Sequence, residues 1–283
     1  MKRAGLIAVA AFLAGAAAVA VPHWMGLTQV VFVTLALAGA ALAAALAVRL
    51  AMEERSRRQI EGARRQMVAA VSHDLRTPLA SLRLLVEAID DGVATGETRE
   101  RYLREMRTHV EALTTLIDDL FELSRIEAGE ISWAMERTEL RGLIDDTVAS
   151  MRVPAEARGV AVVAELPAGE VVARANAEKV QRVLLNLIQN AIRHTPADGS
   201  VTVRARTAAD VVEIEVADDG DGIPSADGER VFEAFYRGDE ARSEDGAGLG
   251  LAISRAIVEA HGGRIWLAEG DPGTSIHFTL RLD

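Results

Sequence analysis

Two stretches without any acidic or basic residue lie near the N-terminus, at residues 4–21 and 28–48. As a helix rising about 1.5 Å per residue, the second stretch would be about 31 Å long, which matches the roughly 30 Å hydrocarbon core of a bilayer. The first would be slightly short. The pattern predicts a transmembrane helical hairpin over residues 1–48, with residues 22–27 as its connection.

Basic residues flank both stretches and predict their orientation. They are Lys2 and Arg3 before the first stretch, and Arg49, Arg55, Arg57 and Arg58 after the second. Because such residues favour the cytoplasmic side, we expect a multi-pass protein of the inner (cytoplasmic) membrane with both termini in the cytoplasm. A cleaved signal peptide is the alternative for residues 4–21, since residues 18–20 fit a cleavage site.

The next two segments are helical by their pattern. Residues 49–66 are charged and contain no proline, which predicts a helical linker. Apolar residues then recur every three or four positions in two runs, Val71, Leu75, Pro78, Leu82, Leu85 and Ile89, followed by Leu103, Met106, Val110, Leu113, Ile117 and Leu120. With a break at residues 91–96, this spacing predicts a helical hairpin over residues 67–128. One stripe per helix cannot enclose a core, so we expect a homodimer that forms a four-helix bundle.

From residue 129 onward, strand and helix patterns alternate. Strands are predicted at residues 160–166, 201–207, 211–217, 264–268 and 275–282, and helices at 140–151, 177–193 and 249–261. This order predicts an α/β sandwich over residues 129–283. The predicted fold class is a multi-domain membrane protein with a transmembrane hairpin, a dimerising hairpin and an α/β sandwich.

Charge and cysteine content narrow the classes of function. The 283 residues carry a formal net charge of -11 and contain no cysteine. An acidic chain argues against direct nucleic-acid binding, which favours a basic surface. The lack of cysteine excludes disulfides, thiolate zinc sites and cysteine nucleophiles, and the histidines show no paired metal-ligand spacing.

His73 is the first candidate for chemistry. At about 100° per residue, it lies on the opposite side of its helix from Val71 and Leu75, so we expect it to face solvent. A neutral imidazole nitrogen can attack phosphorus, and the adjacent Asp74 can orient the ring and take its proton. On this motif alone, an ordinary surface histidine is the alternative.

A second group of polar residues ends a predicted helix. Asn186 and Asn190 are four residues apart and therefore share a helix face. An amide oxygen is a suitable ligand for the Mg²⁺ that accompanies ATP, and Arg193 can bind phosphate oxygens. The alternative is a polar helix end before Pro196.

Two glycine-rich segments complete the set. Asp218, Gly220 and Gly222 follow a predicted strand, and the segment that opens the last helix contains Gly246, Gly248, Leu249 and Gly250. Glycine lets the backbone approach a ligand, and a helix N-terminus presents free N–H groups to phosphate. A dinucleotide fold is disfavoured, because its strand–turn–helix unit is not visible here, and no lysine-bearing P-loop occurs.

Together and in this order, the four motifs resemble those of the sensor histidine kinases of two-component systems, over about residues 67–282. The resemblance is to the class with a HisKA-type phosphoacceptor hairpin and a GHKL-type ATP-binding domain. It implies a protein-histidine kinase that phosphorylates itself from Mg-ATP and passes the phosphoryl group to an aspartate of a response regulator. It also implies dephosphorylation of that regulator.

The same resemblance implies roles for single residues. His73 would be the phosphoacceptor, Asp74 the general base, and Thr77 the residue that positions water in dephosphorylation. Asn190 would bind Mg²⁺ and Asp218 the adenine amino group.

The remaining motifs are implied to hold the nucleotide in place. Gly220 and Gly222 would form the turn beneath adenine, Arg237 would lie near the terminal phosphates, and Gly246, Gly248 and Gly250 would form the hinge and phosphate face of a lid. Two positions depart from the family pattern, with Asp219 in place of a frequent Asn and Asn176 in place of a frequent Asp.

The short N-terminal part also has a family parallel. The 24 residues between Val48 and His73 are too few for the relay or sensor domains of many relatives, and residues 22–27 cannot build a ligand pocket. The layout resembles the intramembrane-sensing kinases, which implies input through the bilayer or a membrane partner protein. A rival is a simple ATPase of the gyrase and chaperone superfamily, but Asn186 stands where those enzymes place a water-activating Glu.

Overall fold

The computed structural model describes residues 27–131, 133–224, 227–236, 248–268 and 273–282. The chain divides into two compact units, Met1–Val68 and Ala69–Asp283. The second unit contains residues 129–283, for which the sequence predicts the α/β sandwich. The predicted span at residues 4–21, Arg237 and Gly246 lie outside the described residues, as does the side chain of His73.

Two long helices precede the α/β part of the chain. Helix α1 is Leu27–Asp90 and helix α2 is Gly96–Glu127. The predicted break between them is confirmed, because α1 ends at Asp90 and Gly92 adopts a left-handed φ of 70°. Thr95, in extended conformation, precedes α2. Residues 49–66 are helical, as the linker prediction requires, since they lie within α1.

The structure does not confirm a membrane span. Within the described part of the chain, no helix is both long enough and apolar enough to cross a bilayer. The predicted span at residues 28–48 therefore stays a prediction from sequence.

The rest of the second unit is an α/β sandwich, as predicted. Its helices are α3, Leu140–Glu156, α4, Ala177–His194, and α5, Gly250–Ala260. Its strands are β1, Glu136–Glu139, β2, Ala161–Glu165, β3, Val172–Ala175, β4, Ser200–Ala208, β5, Val211–Asp218, β6, Ile265–Leu267, and β7, Thr274–Arg281. A five-stranded sheet has the order β2-β4-β5-β7-β6, in which β2 and β4 are parallel and the other pairs antiparallel.

The core lies between the sheet and the layer of helices. Helix α4 contacts β4 and β5 and lies between α3 and α5. In β5, buried Val212, Ile214 and Val216 alternate with half-buried residues, which is the period expected of a strand with one face in a core. They pack beneath the apolar face of α4, where Leu184 and Ile188 are fully buried.

Two short strands were not predicted. Strands β1 and β3 form a separate antiparallel pair in which Glu136 lies opposite Ala175. Three of the four residues of β1 are charged, so no apolar alternation marks it. Helix α3 also extends beyond the predicted residue 151 to Glu156, with Pro154 in its last turn.

Candidate functional site

The adenine end of the predicted site is built around Asp218, the last residue of β5. Its side chain is buried, and Oδ1 accepts hydrogen bonds from the backbone N–H of Gly220 at 2.9 Å and of Thr274 at 3.2 Å. Burial raises the pKa of this carboxyl group, and the two N–H donors oppose that effect in part. The result is a fixed, largely desolvated acceptor at the end of a strand.

At three positions around Asp218, the backbone passes so close to other backbone atoms that only glycine fits. A Cβ on Gly220 would clash with the carbonyl oxygen of His194, and one on Gly222, which has a φ of 77°, would lie 2.9 Å from Gly273 O. Gly273 has a φ of 103°, and a Cβ there would clash with Asp218 O. The chain can therefore pass close to the Asp218 carboxylate only with glycine at these positions.

Gly273 and Thr274 were missed from the sequence. They lie more than 50 residues from Asp218, and a turn glycine before a strand is an ordinary feature. The available signal was Gly273 directly before Thr274, the first residue of the alternating strand β7.

Helix α4 carries the predicted phosphate-side residues. Asn186, Asn190 and Arg193 are all half-buried and, at spacings of four and three, lie along one helix face. The Asn186 amide nitrogen donates to Gly250 O at 3.2 Å and to Ser254 Oγ at 3.4 Å. Asn186 therefore joins α4 to the first turn of α5, a contact that the sequence did not predict.

Close backbone contacts and a backbone hydrogen bond fix the segment before α5. Leu249 is buried, and Gly248 has a left-handed φ of 66°. The N–H of Phe235 donates to Gly248 O at 2.9 Å, and a Cβ on Gly248 would lie 2.9 Å from Tyr236 O. The 3₁₀ helix Arg230–Phe232, which precedes Phe235, contacts α5. The structure thus brings Asn186, Gly248, Leu249 and Gly250 to one end of the interface between α4 and α5.

Two family models match the chain. Residues 63–129 match the His Kinase A (phospho-acceptor) domain, and residues 175–283 match the family of histidine kinase-, DNA gyrase B- and HSP90-like ATPases. The chain belongs to the sensor histidine kinases. The first match contains His73, Asp74 and Thr77, and the second contains Asp218 and the glycines around it.

Curated relatives and solved structures agree with this assignment. The sensor histidine kinase WalK of Bacillus subtilis is 35% identical over 224 residues, which is 77% of this chain and 36% of WalK. SenX3 of Mycobacterium tuberculosis H37Rv is 35% identical over 228 residues, 79% of this chain and 55% of SenX3. Full-length ShkA in complex with AMPPNP has a TM-score of 0.58 at 26% identity and covers 76% of this chain and 45% of ShkA. The chain therefore spans less than two thirds of these kinases.

The residues predicted for the acceptor end of this histidine kinase lie on α1. His73, Asp74 and Thr77 fall within this helix, where Asp74 is half-buried and Thr77 is exposed. One turn separates Thr77 from His73, as the sequence predicts.

Contacts between the hairpin and the sandwich of the kinase run through α2. Lys179 Nζ lies 2.9 Å from Glu122 Oε1, and Arg182 pairs with both Asp119 and Glu122. Helix α2 also contacts α5. The N-terminal half of α4 is thus tied to the hairpin, while Asn190 lies toward the other end of that helix.

The two departures from the family pattern have local explanations. Asp219 is exposed, and its Oδ2 accepts hydrogen bonds from Ser200 N at 2.8 Å and Ser200 Oγ at 2.7 Å, which lower its pKa. Asp219 therefore holds Ser200, the first residue of β4, in place through these two hydrogen bonds. Asn176 caps α4, because its Oδ1 accepts a hydrogen bond from Lys179 N at 3.1 Å.

Proposed function

We propose that this chain is a membrane-bound protein-histidine kinase that transfers the γ-phosphoryl group of Mg-ATP to His73 and then to an aspartate of a response regulator. The observation that carries the proposal is one chain with a phosphoacceptor-domain match around His73 and an ATPase-domain match around the Asp218 cradle. The match to the nucleotide-bound ShkA structure supports the ATP site.

The sandwich supplies the nucleotide site. Asp218 would accept a hydrogen bond from the adenine amino group, and the backbone near Gly220 and Gly222 would lie against the base. The residues fit Mg-ATP, because the half-buried Asn190 offers a neutral oxygen and Arg193 a cation for phosphate. Bound Mg²⁺ would neutralise charge on the phosphates.

The phosphate end has two further contributions. The N-terminus of α5 at Gly250 presents backbone N–H groups and the positive end of the helix dipole to an anion. Arg237, Gly246 and Gly248, with Leu249 and Gly250, belong to the lid in this proposal. Phosphoryl transfer needs alignment and charge compensation more than covalent help from the protein, which this set of groups can provide.

The hairpin supplies the acceptor. A neutral nitrogen of His73 forms a bond to the γ-phosphorus as the bond from that phosphorus to the bridging oxygen of ADP breaks. Asp74 takes the ring proton, and ADP leaves. Thr77 would later position the water that removes phosphate from the regulator.

A second copy of the chain would complete the hairpin. Large apolar side chains of α1 and α2 are exposed in the single chain, among them Leu84, Leu103, Val110 and Phe121. A four-helix bundle would bury such a surface. We propose a homodimer for this reason and because the matched domain is the dimerisation domain of the family.

Membrane attachment rests on the two uncharged stretches of the sequence. We propose that they anchor the kinase in the inner membrane and receive a signal within the bilayer or from a membrane partner. Carbonate-washed membranes should retain the full-length chain, and its recovery in the soluble fraction would contradict this part of the proposal.

The kinase activity is tested with ATP labelled in the γ-phosphate. Wild type should gain label that is lost in acid and kept in base, as a phosphohistidine requires, and His73→Gln should abolish it while nucleotide binding persists. The matched control His277→Gln, on the outer face of β7, should keep the label. Undiminished labelling of His73→Gln would refute the assignment. Rapid transfer from the labelled kinase to one candidate regulator would identify its partner.

A further inference from the structure

Helices α4 and α5 are held together by hydrogen bonds at both ends of their contact. At one end, Asn186 binds Gly250 O and Ser254 Oγ. At the other, the backbone N–H of Asn176 donates to His261 Nε2 at 3.0 Å, while His261 Nδ1 bonds Ile257 O at 2.7 Å. Because the two pairs run in opposite directions along the chain, the helices are antiparallel and their register is fixed at two points.

Ser254 has an unusual place at the first of these points. It is completely buried, and its hydroxyl donates to Gly250 O at 2.8 Å while its oxygen accepts from the Asn186 amide. A serine inside a helix commonly bonds the carbonyl four residues back, which acts on its own helix alone. Here the same hydroxyl also meets a side chain from another helix.

This arrangement determines which way the Asn186 amide faces. Gly250 O and Ser254 Oγ both act as acceptors toward it, so the amide nitrogen must point to α5 and the amide oxygen away from it. A Cβ on Gly250 would lie 3.7 Å from the Asn186 side chain, an ordinary van der Waals distance, so the Asn186 side chain packs directly against the first turn of α5.

We propose that Ser254 is a positioning residue for the phosphates of the nucleotide, acting through Asn186. By orienting that amide and tying it to Gly250, Ser254 holds the first turn of α5 in register with the Asn186 and Asn190 face of α4. The inference rests on the proposed function, because it is this turn that presents N–H groups to the phosphates. In this account Asn186 acts mainly within the protein and contacts the nucleotide little.

The first test uses hydrogen exchange on the nucleotide-free, full-length protein. Ser254→Ala should speed exchange of the amides of Ile253 and residue 254, in the first hydrogen-bonded turn of α5, by about 3–10-fold, since both hydrogen bonds of the Ser254 hydroxyl are lost. The matched control is Thr147→Val, which removes a buried hydroxyl bonded to Leu143 O at 2.6 Å in α3. It should leave exchange in α5 unchanged.

The second test measures the affinity for a non-hydrolysable ATP analogue with Mg²⁺ by calorimetry. Ser254→Ala should weaken binding about 3–10-fold and Asn186→Ala more, while the double variant should be no weaker than Asn186→Ala alone. Thr147→Val should bind like wild type. This non-additivity is expected only if Ser254 acts through Asn186.

Two results would overturn the inference. One is unchanged exchange in α5 together with unchanged affinity in Ser254→Ala. The other is additive losses in the double variant, which would mean that the two residues act separately. Failure of wild type to bind the analogue would instead refute the proposed function, and the exchange experiment would still test the contact between Asn186 and Ser254.

Discussion

The hairpin and the sandwich differ in how completely each buries its large apolar side chains. In the sandwich, Leu184, Ile253 and Phe278 are completely buried between sheet and helices. In the hairpin, Val110 is 51% exposed and Phe121 64% exposed. The sandwich therefore has a complete core within one chain, whereas the hairpin presents a surface that calls for a partner. Stability of the nucleotide site and assembly of the acceptor site should respond to different substitutions.

The largest effect is expected from truncating the sandwich core. Phe278→Ala in β7 should lower the free energy of unfolding of the sandwich by about 3–5 kcal/mol, because it leaves a cavity as well as losing buried area. Phe121→Ala makes the same change on the exposed surface of α2 and should leave sandwich unfolding nearly unchanged. Denaturant unfolding of both variants checks this, and equal losses would remove the distinction between the two regions.

A positive charge introduced into the hairpin should weaken the proposed dimer. Val110→Lys would place an ammonium group in the proposed bundle, and burying it unpaired is strongly unfavourable, so the dimer should dissociate at least about 10-fold more readily. Light scattering over a concentration series measures this. The control is Val163→Lys on the exposed face of β2, which should not alter assembly. A Val110→Lys variant that dimerises like wild type would show that α2 does not carry the interface there.

Glycines in the two regions should also respond differently. Gly92 and Gly273 both have positive φ, so alanine strains either one by about 1 kcal/mol. At Gly92 nothing lies near the added Cβ, but at Gly273 it meets the backbone of Asp218. Gly273→Ala should weaken ATP binding at least about 10-fold, while Gly92→Ala leaves it unchanged. Calorimetry with ATP separates them, and normal binding by Gly273→Ala would exclude a tight adenine turn.

The smallest effect concerns pH and the nucleotide site. Because burial raises the pKa of Asp218, its contribution to stability is complete below the ordinary pKa of a carboxyl and is lost as pH rises through the raised value. At neutral pH, Asp218→Asn should therefore not destabilise the nucleotide-free protein, although it should weaken ATP binding. Asp219→Asn should instead destabilise the nucleotide-free protein and leave ATP binding unchanged, because hydrogen bonds from Ser200 lower the pKa of Asp219.

This pair of substitutions has a clear contrary outcome. Thermal unfolding without nucleotide and calorimetry with ATP should rank the two variants in opposite orders. For wild type, ATP affinity should fall as pH drops through the raised pKa of Asp218. If both variants lose stability equally and bind ATP equally, burial of Asp218 has no functional consequence.

Strong periodic patterns made most of the sandwich and the break between α1 and α2 predictable. The alternation of β5 and the three-and-four spacing of α4 each reflect one buried face, which sequence records directly. The Asp218 and Gly220 cluster was also visible, because local turn chemistry requires glycine. Strand β1 was not, since its charged residues are held by pairing with β3 and not by burial.

Contacts between distant segments could not be predicted. Spacing places Asn186 and Asn190 on one face of α4, but only the packing of α5 decides that Asn186 meets Gly250 and Ser254. In sequence, Ser254 is one of three polar residues, with Arg255 and Glu259, in an otherwise apolar helix. Thr274 likewise gains its role only when β7 pairs with β5 and its N–H reaches Asp218.

The central claim is that ATP bound in the sandwich phosphorylates His73 of the hairpin. The most direct measurement follows ADP and protein-bound phosphate in the same reaction of the full-length chain with Mg-ATP, and then locates the phosphate by mass spectrometry at neutral pH. Early in the reaction, ADP and phosphohistidine should appear in equal amounts, with the phosphate on His73. Continuous ADP release without phosphoprotein, as a simple ATPase would give, or phosphate on another residue would contradict the account.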